Sequence, residues 1–267
     1  MTYTPEQKKN ALANIKLFVL DMDGTFYLGN RILDGSLDFL NRVAETGRQF
    51  IFFTNNSSKT PADYVQKLAG MDCHVDEKTV MTSGTVTIRY LHTFYPGQRV
   101  YLMGTQTLCE QFRQGGIQLV EDAPDVVVIG FDTELTYAKL EKACTYIRGG
   151  AVFLATHKDI NCPTEDGFIP DCGSMCALIE MSTGQKPRYL GKPAAETAEM
   201  VYLEAGVSRE QVAFVGDRIY TDVATGVNNG AGGFLVLTGE TTLDDVPKSS
   251  VQPTCIFDSL AEMSQYL

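Results

Sequence analysis

Short, uninterrupted apolar runs alternate with segments of helical pattern near both ends of the chain. The runs occupy residues 17–20, 50–53, 212–215 and 234–237. A strand that is apolar at every position is typical of a parallel sheet, because helices cover both faces of such a sheet. The alternation therefore predicts an α/β fold, with a Rossmann-like, doubly wound parallel sheet.

The helical segments carry recognisable start and stop signals. Thr60 precedes a helix that has Pro61 in its first turn and ends near Gly70. A hydroxyl residue before the helix and a proline at its first position are both favoured there. Two further helices are predicted over residues 193–205 and 220–229.

The middle of the chain has its own set of apolar runs and a helical pattern, at residues 100–103, 126–129, 152–155 and 135–148. About 100 residues with three strands can form an independent core. We therefore predict an inserted second α/β domain over residues 80–187. Residues 1–79 and 188–267 would form the first domain.

The charge balance restricts the class of partner. With 22 Lys and Arg against 33 Asp and Glu, the net charge is -11, which disfavours nucleic acid polymers and anionic membranes. No apolar stretch reaches the roughly 18 residues of a spanning helix, and the first ten residues lack an apolar signal core. The seven cysteines form no CxxC pair and are predicted to be reduced. These features predict a cytoplasmic protein without a membrane partner.

Two carboxylates follow the first apolar run, in the sequence Asp-Met-Asp-Gly-Thr at residues 21–25. Asp21 and Asp23 would lie on the same side of an extended chain, roughly 6–7 Å apart. Such a pair favours a bound cation, and oxygen ligands suit Mg²⁺. Gly24 would leave its N–H open to an anion. An Asp-rich turn is the simpler alternative, whereas a calcium loop is excluded because Ile32 occupies the position of the required Glu.

Three further polar features occur at matching places in the predicted fold. Thr54 and Asn55 follow the second apolar run, Lys192 precedes a helix, and Asp217 follows the run at 212–215 with Asp222 five residues later. Each has an ordinary explanation as a polar loop, a solvated lysine or a helix cap. Their occurrence together, in the order Asp-x-Asp, Thr, Lys, Asp, favours a single site for a metal and a phosphate.

In this order of motifs the chain resembles the haloacid dehalogenase superfamily of aspartate-nucleophile phosphatases, in its NagD-like (p-nitrophenylphosphatase-type) branch. The resemblance covers nearly the whole chain and is carried by LDMDGTFY, FFTNNSSKT, PTEDGFIPDCGSMCALIE, GKP and VGDRIYTDV. It implies a catalytic core with a large inserted cap. It also implies Mg²⁺-dependent hydrolysis of a small phosphomonoester through an aspartyl-phosphate.

The resemblance also implies roles for individual residues. Asp21 would be the nucleophile, and Asp23 would be the general acid and base. Mg²⁺ would bind the Asp21 side chain, the Asp23 carbonyl and Asp217, with Asp222 supporting the site through water or through contacts with the ligands. The phosphoryl group would be held by Thr54, Asn55, Lys192 and backbone N–H groups near Gly24.

The inserted domain would act as a cap that closes over a small phosphorylated metabolite and could carry a homo-oligomer interface. His157, Asp159, Asn161 and Glu165 are candidates for contacting the leaving group, in a predicted loop over 157–171. The chain departs here from the branch. It has Thr-His-Lys-Asp at 156–159 and Asp-Cys-Gly-Ser at 171–174, where Thr-Asn-Pro-Asp and Gly-x-Gly-Ser are usual.

Several functional questions stay open from the sequence. Sugar phosphates, phosphoglycolate, nucleotides and pyridoxal phosphate are all compatible substrates. A non-catalytic phosphometabolite-binding protein and a phosphotransferase or mutase are the alternative functions. Dehalogenase chemistry is disfavoured because it needs neither Mg²⁺ nor an acid at the position of Asp23.

Overall fold

The structure, a computed structural model, describes residues 3–164 and 167–267. It divides into two compact units. The first contains the described residues up to Thr54, together with Tyr64–Met81 and Lys192–Leu267, and the second contains Asn55–Asp63 and Thr82–Gly191. Among the described residues, no helix is both long and apolar enough to cross a membrane.

The two units are built from helices and strands that alternate along the chain. In chain order these are α1 (Pro5–Leu12), β1 (Leu17–Leu20), β2 (Tyr27–Leu28), β3 (Arg31–Ile32), α2 (Ser36–Glu45), β4 (Gln49–Thr54), α3 (Pro61–Ala69), β5 (Val80–Thr82), α4 (Ser83–Phe94), β6 (Val100–Met103), α5 (Gln106–Gln114), β7 (Val126–Ile129), α6 (Tyr137–Arg148), β8 (Val152–Ala155), β9 (Asn161–Thr164), β10 (Gly167–Pro170), α7 (Cys172–Thr183), β11 (Arg188–Tyr189), α8 (Ala195–Ala205), β12 (Val212–Gly216), α9 (Ala224–Asn228), β13 (Gly232–Val236), β14 (Cys255–Phe257) and α10 (Leu260–Ser264).

A six-stranded sheet forms the centre of the first unit, in the order β14-β13-β12-β1-β4-β5. The four pairings from β14 to β4 are parallel, so the carboxyl ends of these strands lie at one edge. Both faces are covered: Phe18 belongs to the main core cluster, whereas Leu235 belongs to a second cluster. Burying one such side chain contributes about 1.5–3 kcal/mol. The predicted α/β fold with a parallel sheet is thus confirmed.

The second unit has its own parallel sheet, in the order β11-β8-β7-β6. The adjacent residues Val128 and Ile129 belong to different core clusters, so this sheet is also covered on both faces. Residues 157–171 are not the predicted loop, because they contain the antiparallel hairpin of β9 and β10. Most residues of this hairpin are exposed. Its sequence therefore lacks the alternation of buried and exposed positions that would predict a strand. Glu165 lies outside the described residues.

The junctions between the units differ slightly from the predicted boundaries at residues 80 and 187. Strand β5 belongs to the six-stranded sheet, and β11 pairs with β8 in the four-stranded sheet. The first junction lies within β5, after Met81, and the second follows β11, after Gly191. The assignment of a catalytic role to one unit and a specificity role to the other stays a prediction.

Two helices of the first unit begin differently from the prediction. Helix α8 begins at Ala195 rather than at residue 193. In place of one α-helix over 220–229, a π-helix spans Ile219–Val223 and is followed by α9. Single π turns inside helices are frequent at functional sites. This turn contains Asp222, which bears on the geometry of the site.

Candidate active site

Three carboxylates meet at the carboxyl edge of the six-stranded sheet. Asp21 follows β1, Asp217 follows the neighbouring strand β12, and Asp222 lies in the π-helix. Each offers one oxygen within 4.8 Å of the other two. Asp23, the other predicted carboxylate, is exposed. In the described part of the chain, it does not belong to this group of converging carboxylates.

Lys192 lies between two of these carboxylates and is only 3% exposed. Its Nζ is 2.6 Å from Asp21 Oδ1 and 2.7 Å from Asp222 Oδ1, and it donates a hydrogen bond to the Phe53 carbonyl at 2.9 Å. Burial alone would lower the pKa of this ammonium, but Asp21 and Asp222 raise it above the ordinary value. The site therefore keeps a fixed positive charge at the sheet edge.

The negative charge of the cluster exceeds what Lys192 balances. Burial, opposed by Lys192, raises the pKa of Asp21 to about 7. Burial and the Asp222 charge raise the pKa of Asp217 to about 6. Burial is the largest cause of both shifts, and the charges of neighbouring carboxylates add to it. Converging carboxylate oxygens are the donor set that Mg²⁺ prefers, so these residues fit the predicted ion.

Two glycines let the backbone approach Asp217 closely. The Asp217 carboxylate accepts from Glu240 N at 2.7 Å and from Thr25 Oγ1 at 3.2 Å. A Cβ at Gly239 would lie 2.1 Å from Asp217 Oδ2, and one at Gly24 would lie 2.7 Å from it. Only residues without a side chain therefore fit at these two positions.

We expect Gly239→Ala to weaken Mg²⁺ binding by about tenfold or more, because the new methyl group must displace the Asp217 carboxylate. Calorimetric titration of the protein with Mg²⁺ measures this affinity. Gly70→Ala is the control, since its Cβ would approach nothing closer than a backbone oxygen at 3.3 Å. Equal Mg²⁺ affinity in the Gly239→Ala variant and the control would show that Asp217 does not bind the ion.

The prediction for the Gly24 N–H is wrong. Gly24 has a φ of +85°, and its N–H donates to the Tyr27 carbonyl at 2.8 Å instead of pointing to an anion. Its own carbonyl accepts from Thr238 Oγ1 at 2.6 Å. The tight turn after Asp23 uses this N–H internally, so the role of Gly24 is the close approach to Asp217.

The two residues predicted to bind phosphate after β4 belong to different units. Thr54 is the last residue of β4 in the first unit, whereas Asn55 begins a segment of the second unit. The Asn55 amide, predicted to donate to phosphate, donates to Asp159 Oδ2 at 3.1 Å. Asn55 is 5% exposed, which is consistent with an anchoring contact.

Two cations near Asp23 were not singled out from the sequence. The surrounding protein desolvates Asp23 enough to raise its pKa, while the charges of Lys67 and Arg218 oppose that shift. Arg218 Nε lies 2.9 Å from Glu240 Oε2, and Lys67 Nζ lies 4.0 Å above the Tyr27 ring. Arg218 directly follows Asp217 and could have been noticed. Lys67 is close to Asp23 only in the folded chain, and no sequence pattern around Lys67 indicates this.

The candidates in the second unit have different environments. His157 is fully buried, and its side chain lies with those of Asp159 and Asp171 so that single polar atoms fall within 4.8 Å of one another. Burial opposes protonation, but Cys172, Asp171 and Asp159 raise the pKa of His157 to about 9. Asn161 is exposed at the start of β9. The contact with Asp171 was missed because residues 157–171 were predicted as a loop, whereas the hairpin of β9 and β10 lies between the two residues.

Comparisons with known proteins extend over nearly the whole chain. The model of the haloacid dehalogenase-like hydrolase family matches residues 18–118. A second, HAD-hydrolase-like model matches residues 189–263. The chain is 36% identical over 248 residues to an acid sugar phosphatase of Staphylococcus aureus (strain MRSA252), covering 92% of this chain and 96% of that relative.

The chain is also similar in fold to solved structures, among them a phosphatase. A 4-nitrophenylphosphatase from Thermotoga maritima has a TM-score of 0.92 and 45% identity, with 96% of this chain and 98% of that one covered. NagD from E. coli K-12 has a TM-score of 0.87 and 30% identity, with 93% and 98% covered. These matches extend over residues of both units.

Proposed function

Because the chain belongs to the haloacid dehalogenase-like hydrolases, as a phosphatase of the NagD-like branch, we propose that it hydrolyses small phosphomonoesters of the sugar phosphate class. One observation carries the proposal for the site. Asp21 lies at the carboxyl edge of the sheet with the Lys192 ammonium at 2.6 Å and two further carboxylates in reach. The site would thereby combine a nucleophile, a cation for the phosphoryl oxygens and ligands for a metal.

In the proposed reaction Asp21 attacks the phosphorus atom of the ester. A bond forms between its carboxylate oxygen and phosphorus as the bond to the leaving oxygen breaks, and Asp23 gives that oxygen a proton. Asp23 then takes a proton from the water that attacks the aspartyl-phosphate, which releases inorganic phosphate and regenerates Asp21. The exposure and raised pKa of Asp23 suit this exchange of protons.

Positive charge is needed where the phosphoryl group is transferred. Lys192 supplies a fixed ammonium, and Thr54 supplies a hydroxyl at the end of β4. Asp21, Asp217 and the Asp23 carbonyl would hold Mg²⁺, with Asp222 beside them. When bound, Mg²⁺ neutralises charge on the phosphoryl oxygens. We assign Asp222 a second role, which is to fix the Lys192 ammonium through their 2.7 Å ion pair.

The class of substrate is proposed from the relative. The acid sugar phosphatase shares 36% of its residues with this chain over nearly its full length. A net charge of -11 gives no general attraction for a phosphate ester, so binding depends on Lys192 and the metal. A small phosphomonoester fits this local field better than a nucleic acid polymer does.

The test is release of inorganic phosphate from p-nitrophenyl phosphate and from a panel of sugar phosphates, with Mg²⁺ and with excess EDTA. We expect turnover with Mg²⁺, a fall to the uncatalysed rate in EDTA, and full recovery when Mg²⁺ is restored. Binding of the esters without turnover would instead indicate a non-catalytic protein. Faster transfer to an added sugar than to water would indicate a phosphotransferase.

A further inference from the structure

A network of buried polar side chains surrounds the segment that follows Thr54. On one side of this segment, the Asn55 amide donates to Asp159, and the Asn55 carbonyl accepts from Ser83 Oγ. Two residues later, Ser57 Oγ lies 3.0 Å from Thr156 Oγ1. It also accepts from the backbone N–H of residue 131 at 2.9 Å. All of these residues belong to the second unit.

His157 lies at the centre of this network. Its Nδ1 is 2.9 Å from Thr156 Oγ1 and 3.4 Å from Ser83 Oγ, so the imidazole reaches both hydroxyls that hold the segment. On the opposite side of the ring, Nε2 is 2.8 Å from Asp171 Oδ1. The imidazole therefore has a polar contact at each of its nitrogens and a fixed orientation.

Helix α7 gives this arrangement a rigid base. Asp171 is the N-cap of α7, and its Oδ1 also accepts from Cys172 N at 2.6 Å. In the first turn, Gly173 N donates to the Asp159 carbonyl at 2.8 Å. A Cβ at Gly173 would lie 2.3 Å from the Lys158 carbonyl, so the chain beside His157 is seated directly on the helix. Helix α7 thus fixes both Asp171, which contacts His157, and Asp159, which contacts Asn55.

We infer that His157 is a positioning residue, which fixes Asn55 and Ser57 in the segment that directly follows Thr54 in the chain. The inference rests on the proposed function, in which the Thr54 hydroxyl contacts the phosphoryl group.

His157→Asn tests the inference, because asparagine keeps a polar side chain but is too short to span from Asp171 to both hydroxyls. With Mg²⁺ present, we expect kcat/KM for p-nitrophenyl phosphate to fall about tenfold or more. The dissociation constant of inorganic phosphate, measured by calorimetry, should rise by a similar factor. A purely structural role would lower the fraction of active protein and leave phosphate affinity per folded molecule unchanged.

Lys139→Met is the matched control in the same unit. Lys139 Nζ is 2.8 Å from the buried Asp132 carboxylate, so this change removes one partner of a polar pair without touching Asn55, Ser57 or His157. We expect it to lower Tm at least as much as His157→Asn while phosphate affinity and kcat/KM stay near those of the wild type.

Two further variants define the outcome. Asp171→Ser keeps a helix-capping hydroxyl but removes the carboxylate, and it should reproduce the loss seen in His157→Asn. Asn55→Ala should cause a similar loss, and combining it with His157→Asn should add little, because both act through one segment. Unchanged phosphate affinity in His157→Asn would overturn the positioning role. Absence of turnover in the wild type would instead overturn the proposed function, since phosphate affinity is measured without turnover.

Discussion

Asp21→Asn is expected to abolish phosphate release from p-nitrophenyl phosphate, with kcat falling at least about 10⁴-fold. An amide oxygen carries no negative charge and is a far weaker nucleophile toward phosphorus than a carboxylate. The substitution keeps the size and shape of the side chain. Lys192 also keeps its 2.7 Å ion pair with Asp222, so the cation stays in place.

The fold should tolerate this substitution. Asp21 is one of three carboxylates whose oxygens lie within 4.8 Å of each other, and neutralising it relieves repulsion in the metal-free protein. We therefore expect Tm without metal to be unchanged or higher. Asp38→Asn, on the exposed face of α2, is the control and should keep full activity. If Asp21→Asn retained activity within tenfold of the wild type, direct attack by water would replace the aspartyl-phosphate pathway.

The parallel sheet could be predicted because each central strand carries its own signal. Residues 17–20 are apolar at every position, and all four are buried in β1. The short strands β5 and β11 have three and two residues, too few to form a pattern. They were missed for that reason. The junctions between the units, which lie at or near these strands, therefore differ from the predicted boundaries.

Asp222 could be identified as a site residue from the sequence, but the position of its side chain could not be predicted. An α-helix over 220–229 would direct its side chain differently from the π-helix that the chain forms. In that π-helix the carboxylate reaches back to β12, where a Cβ on Gly216 would lie 2.2 Å from Asp222 Cγ. There Asp222 Oδ1 lies 2.7 Å from the Lys192 ammonium, a contact that the predicted α-helix did not indicate.

The network around His157 depends on contacts that no local pattern encodes. Asn55 and Asp159 are 104 positions apart in the chain, and Asn55 was assigned to phosphate because it follows Thr54. The departures at His157 and Asp171 were visible in the sequence. Only the fold shows that the two side chains meet, which turns two isolated departures into one paired feature.

Lys192→Met is expected to impair both activity and stability. Loss of the ammonium that we propose to bind the phosphoryl group should lower kcat about 10²–10³-fold. The change also leaves Asp21 and Asp222 without their shared cation in a buried site. Removing one partner of a buried ion pair costs about 3–5 kcal/mol, and denaturant unfolding of the metal-free protein measures this free energy.

The double variant Lys192→Met with Asp222→Asn separates the two effects. Removing the Asp222 carboxylate as well leaves one fewer uncompensated charge, so the free energy of unfolding should recover in part. The activity should not recover, because no ammonium is restored. Added Mg²⁺ should stabilise the single variant more than the wild type, since the ion replaces the missing cation beside Asp21. If the single variant were as stable as the wild type without metal, the ion pairs of Lys192 with Asp21 and Asp222 would contribute nothing to folding. Its activity would then report the phosphoryl contact alone.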